Sequence, residues 1–108
     1  GLRMRLGREV DLAIVGEAED GPQAIEVASA LRPDVVLLDV ALPGADGISV
    51  AGRLRTLVPD TRVVMLSLYD DAITRDRARA AGATTLVGKH EPLPNLLRAI
   101  RGVPPPDS

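Results

Sequence analysis

Residues 34–39 read Asp-Val-Val-Leu-Leu-Asp, four consecutive apolar residues between two acids. A strand with one wet face alternates apolar and polar residues, so an unbroken run of this kind belongs to a strand covered on both faces. Such a strand needs helices above and below it, and therefore parallel neighbours joined by crossovers. The rest of the chain supplies that pattern. Residues 12–18 read as a short buried strand. Gly21-Pro22 opens a helix, Pro being tolerated in a first turn, and Ala24, Val27, Ala28 and Leu31 then fall at i, i+3, i+4 and i+7. A turn over 41–47 leads to a helix with Val50, Leu54, Leu57 and Val58 on one face, broken at Pro59-Asp60. Residues 62–67 read as a third buried strand, 71–82 as a weaker helix whose only large apolar residue is Ile73, and 85–88 as a short strand. A last helix over 92–101 sets Leu93, Leu96, Leu97 and Ile100 at helical spacing. Strands alternating with helices predict an α/β fold, a doubly wound parallel sheet with right-handed crossovers.

Composition narrows the class. A chain of 108 residues is one domain, too short to carry a second DNA-binding or catalytic module as well. A net charge of −2 offers no basic footprint, so no direct nucleic-acid contact is expected of this segment. The absence of Cys excludes a disulfide framework and thiolate metal sites, which fits a cytoplasmic protein. No apolar stretch approaches the roughly 20 residues that span a bilayer, so no membrane association is expected. The core must be aliphatic, because there is no Phe and no Trp. Residues 1–7 read as the end of an amphipathic helix, with Leu2 and Leu6 four apart and Gly7 as its stop. No strand precedes that helix, so the expectation is a domain over 1–102 that is incomplete at its N-terminus. Residues 103–108, with prolines at 104–106, read as a proline-rich linker or tail.

In doubly wound folds ligands sit beyond the carboxyl ends of the strands. Three polar residues fall there: Asp39, Ser67 and Lys89. A carboxylate, a hydroxyl and an ammonium on one rim suit phosphoryl chemistry, in which the carboxylate acts as nucleophile and the other two hold phosphoryl oxygens. Each residue alone has a plainer reading, as a turn aspartate, a strand-end hydroxyl and a solvated lysine. Lys89 stands out because the other 12 basic residues are all Arg. Asp46 reads as a helix cap, His90 as an exposed loop residue, Tyr69 as rim packing, and the charges from Asp70 to Arg79 as a solvated helix face.

The segments Pro33-Asp34-Val35-Val36-Leu37-Leu38-Asp39 and Leu42-Pro43-Gly44-Ala45-Asp46-Gly47 resemble the phosphoacceptor region of response-regulator receiver domains. Residues 16–21, 63–67, 80–83 and 96–100 resemble the NarL-type subfamily. The resemblance implies a five-stranded flavodoxin-like fold, of which about four strands are visible here. It implies that Asp39 is the phosphoacceptor, that Ser67 and Lys89 hold the phosphoryl group, and that Ser67 and Leu86 form the switch. Asp39 and the backbone carbonyl of Ala41 would serve Mg²⁺. A sensor histidine kinase as donor, a homodimer, a C-terminal helix-turn-helix output domain controlling transcription and no enzymatic turnover of a separate substrate are further implications. The chain departs from the family in three ways. The acidic pair that follows the family's first strand is absent, which leaves Mg²⁺ a poor site. The switch position holds Leu86 rather than an aromatic residue. Leu68, bulky beside Ser67, is expected to slow loss of the phosphoryl group. These departures keep open a pseudo-receiver, an interaction or dimerisation module independent of phosphorylation. A phosphohydrolase or nucleotide-binding enzyme lacks support, since no second Asp stands two positions after Asp39 and no Gly-rich loop follows a strand.

Overall fold

The computed structural model describes residues 2–43, 45–68 and 71–103. Its elements in chain order are α1 (Leu2–Leu6), α2 (Gly21–Leu31), β1 (Val35–Asp39), β2 (Ala41–Leu42), β3 (Ala45–Asp46), α3 (Gly47–Leu57), β4 (Arg62–Ser67), α4 (Ala72–Ala80), β5 (Thr85–Gly88) and α5 (Leu93–Arg101). The Val-Val-Leu-Leu run forms β1 and pairs in parallel with β4, with Val35 opposite Arg62 and Asp39 opposite Leu66. β4 pairs in parallel with β5, with Ser67 opposite Gly88. Successive residues of β4 point to opposite faces. Val63 and Met65 therefore join Leu38, Leu54 and Ala28 in a core on one face. Val64 joins Val87 and Leu96 on the other, with Leu37, Leu66 and Ile100 packed against them. The apolar run thus packs against a core on each face, although only Leu38 of it is fully buried and Val35, Val36 and Leu37 stay partly exposed, and the core is aliphatic.

Helix ends follow their local sequence. Asp20, Asp46 and Asp71 cap α2, α3 and α4, each carboxylate accepting a backbone N–H of the first turn. Helix α2 ends on Arg32 in the left-handed region, φ 46°, directly before Pro33. No helix among the described residues is long and apolar enough to cross a membrane.

The structure corrects three expectations. Residues 12–18 form no regular element and join no sheet, so among the described residues the main sheet has three strands, not four. A strand exists through a neighbour's backbone bonds, and apolar sequence alone cannot supply them. Between residues 12–18 and β1 lies an open groove of about 1120 Å³, lined by both segments, so that neither reaches the other. Leu31 and Leu57, placed by spacing on core faces, are 48% and 42% exposed, since the buried stripe of α2 ends at Ala28 and that of α3 runs through Leu54 to Val58 past Leu57. Ile73 is exposed as well, and Ala78 is the buried residue of α4. The turn over 41–47 contains a short antiparallel ladder, β2 with β3.

The end of α5 is tied to the loop before residue 12. Arg101 donates to both carboxylate oxygens of Asp11 and to Glu9, each at 2.8 Å. The hydrogen bond from Arg101 holds the Asp11 carboxyl below its ordinary value. A depressed carboxylate contributes stability above its unfolded value and loses it as pH falls through the folded one. We expect Arg101→Met to return the Asp11 titration toward the ordinary carboxylate value, read by NMR of the carboxyl carbon. An unchanged midpoint would reject the clamp.

Candidate functional site

The parallel ladders bring three strand ends level. Beyond β1, the Val40 N–H donates to the Leu66 carbonyl at 2.9 Å, and beyond β5 the Lys89 N–H donates to the Ser67 carbonyl at 2.7 Å. Asp39, Ser67 and Lys89 therefore lie at one edge of the sheet, as their positions in the sequence predict. Lys89 Nζ donates to Asp39 Oδ2. The Ala41 N–H donates to Asp39 Oδ1 at 2.9 Å. Both carboxylate oxygens are thus oriented, while the Asp39 side chain stays 30% exposed and open to a reacting partner. Ser67 is buried, at 4% exposure. Leu86 is also buried and lies in the core cluster with Met65 and Ala83, so its side chain faces inward.

Spacing did not reveal how tightly the backbone behind Asp39 is closed. The Gly47 N–H donates to the Val40 carbonyl at 2.9 Å. A Cβ built on Gly47 would lie 2.1 Å from the Asp39 carbonyl oxygen and 2.8 Å from Val40 Cα. Only glycine permits that approach. The signal in the sequence was Asp46-Gly47 at the start of a helix, which reads as a cap and a turn but not as a backbone contact. Asp46 is indeed the cap, accepting the Ile48 N–H at 3.0 Å, and it also pairs with Arg77 of α4 at 3.4 Å. His90 is exposed beside the rim. Gly44, Tyr69, Asp70 and the prolines at 104–106, read above as turn, rim, helix face and linker, lie outside the described residues.

The donor set does not suit Mg²⁺ on its own. That ion demands near-octahedral oxygen coordination. Among the described residues the rim offers the carboxylate of Asp39, already paired with an ammonium, and the Ala41 carbonyl on an exposed residue. No cluster of three His, Cys, Asp or Glu side chains positioned for a metal occurs among the described residues.

Relatives place this chain in a family. Residues 2–101 match the response regulator receiver domain. A Pseudomonas aeruginosa protein named as a transcriptional regulator is 41% identical over 103 residues, covering 94% of this chain and 50% of its own. The chain spans about half the length of the curated relatives it matches. The signal receiver domain of NarL from Mycobacterium tuberculosis superposes with a TM-score of 0.83 at 32% identity, covering 94% of this chain and 85% of that one. A response regulator from Burkholderia pseudomallei, solved with a phosphorylated aspartic acid and a calcium ion, gives a TM-score of 0.79 at 25% identity, covering 92% and 59%. Its strand-end rim, its flavodoxin-like fold and these matches together make the chain a member of the response-regulator receiver family, with NarL among its relatives.

Proposed function

We propose that this chain accepts a phosphoryl group on Asp39 from a sensor histidine kinase and passes the change to a surface used for dimerisation or for an output domain. The observation that carries the reading is the Asp39–Lys89 pair on a level rim beside Ser67. A carboxylate oxygen of Asp39 attacks phosphorus, and a P–O bond forms as the donor's P–N bond breaks, with its electron pair staying on the leaving imidazole. Lys89, within reach of Asp39, is placed to pair with an incoming phosphoryl oxygen. The Ser67 hydroxyl would donate to another. The phosphorylated aspartic acid in the B. pseudomallei relative supports this assignment. Mg²⁺ assists such transfer in the family that the chain resembles, and the residues here would need further carboxylates to hold it. The names of relatives support a part in transcription control; a helix-turn-helix output domain, a place in the cytoplasm and no turnover of a separate substrate complete the proposal.

The test is phosphorylation of the full-length protein by acetyl phosphate with Mg²⁺, read by intact mass. A phosphoryl adduct that Asp39→Asn eliminates is the expected result, and equal labelling of both proteins overturns the proposal. Leu68 stands 69% exposed next to Ser67. If its bulk screens the acyl phosphate from water, Leu68→Ala hastens loss of the adduct, and an unchanged half-life rejects that role. The poor metal site favours one other reading, a pseudo-receiver that dimerises or binds partners without phosphorylation. An unlabelled protein with unaltered self-association would select it.

A further inference from the structure

Helix α4 lacks an apolar anchor of any size. Of its nine residues only Ala78 is buried, and its one large apolar side chain, Ile73, is 73% exposed. A helix normally docks by burying an apolar stripe. Polar contacts take a larger share here. Arg75, half-buried, donates to the Leu86 carbonyl of β5 at 3.4 Å. Arg77 pairs with Asp46 at 3.4 Å, across from α4 to the start of α3.

Asp46 is not an arbitrary anchor point. It faces Ala41 across the β2–β3 ladder. The Ala41 N–H in turn holds Asp39 Oδ1. Gly47, next in the chain, is pressed against Asp39 and Val40. The loop that orients the rim carboxylate and the residue that grips α4 are therefore one short, closed piece of backbone. We propose that Asp46 is a positioning residue that ties α4 to the Asp39 loop through Arg77, so that the seating of α4 is held by charge as much as by burial. A change at Asp39 that shifts the Ala41 amide then reaches α4 through Asp46, separately from Ser67 and Leu86. This deepens the phosphoacceptor reading and rests on it for that last consequence. The tie itself is tested without phosphoryl transfer, so the two can fail independently.

The two roles of Asp46 are separable by substitution. Asp46→Asn keeps a good N-cap for α3 but removes the charge that Arg77 meets. Both side chains are about half exposed, so the effect is that of a surface pair and is salt-sensitive. Amide hydrogen exchange of α4 is expected to quicken by about two- to five-fold in Asp46→Asn, with α3 exchange unchanged. High salt quickens α4 in the wild type by a similar factor and does little to the variant. Arg77→Glu, which sets two acids against each other, loosens α4 further, and much less so in the Asp46→Asn background. Unaltered α4 exchange in Asp46→Asn overturns the proposal. So does an equal effect of Arg77→Glu in both backgrounds. Loss of protection in α3 to the same extent as in α4 assigns Asp46 to the cap alone, and also overturns it.

Discussion

Gly47→Ala lowers the melting temperature by roughly 10–20 °C, while the same change at Gly52 raises it slightly. At Gly47 the added methyl meets the Asp39 carbonyl oxygen at 2.1 Å and Val40 Cα at 2.8 Å. Both are backbone atoms, which cannot swing away as a side chain can. The strand, the β2–β3 ladder and the first turn of α3 must part, and the Gly47 N–H to Val40 carbonyl bond is lost with them. Overpacking of this kind costs about 1–3 kcal/mol, and more where backbone must move. A domain near 100 residues loses roughly 4–8 °C per kcal/mol. At Gly52, inside α3, the same Cβ would find its nearest neighbour, the Ala81 carbonyl oxygen, at 4.0 Å. There alanine contributes only its better helix propensity, about 0.5–1 kcal/mol. Thermal unfolding followed by circular dichroism decides it. Equal melting temperatures for wild type and Gly47→Ala would show that the loop behind Asp39 is loose.

What the chain's order of residues could and could not disclose follows from range. That β1 packs on both faces was legible, because four adjacent apolar residues state it directly, although only Leu38 is fully buried. The level rim was legible too, since parallel strands of similar length end together once their crossovers are short. The helix cap of Asp46 is local chemistry, readable within three residues, and Asp20 before Gly21-Pro22 carried the same signal unread. Residues 12–18 failed the same test for the opposite reason. They look like a strand, but strand formation depends on a backbone edge elsewhere in the fold, and here a groove separates them from β1. The contact of Gly47 with Asp39 spans eight residues and passes through a ladder, so it left no pattern. Arg77 and Asp46 are 31 residues apart, and nothing in a run of alternating charges marks which arginine meets which acid.

Asp39→Asn abolishes the phosphoryl adduct while leaving the fold in place. The substitution is nearly isosteric, and the amide oxygen can still accept the Ala41 N–H that now reaches Oδ1. What it removes is the anionic oxygen that would attack phosphorus. An amide has no lone pair of comparable nucleophilicity, so labelling should fall to background, not by a modest factor. The structural cost should be small. The Lys89–Asp39 pair is about a third exposed, and exposed pairs contribute about 0–1 kcal/mol. Lys89 also keeps its backbone bond to Ser67, so the rim stays level without the ion pair. Measured together, the two readouts separate chemistry from folding. Intact mass after acetyl phosphate treatment reports the adduct, and its release by hydroxylamine identifies an acyl phosphate and not a phosphoserine. Thermal unfolding reports the fold. An adduct that survives in Asp39→Asn, or one that resists hydroxylamine, would move the reaction away from this rim. A protein that melts many degrees lower would show that the pair carries structure instead. The arrangement predicts neither, because the ladder bonds around Asp39 are untouched and the one backbone N–H on its carboxylate, from Ala41, can still be accepted by the amide oxygen.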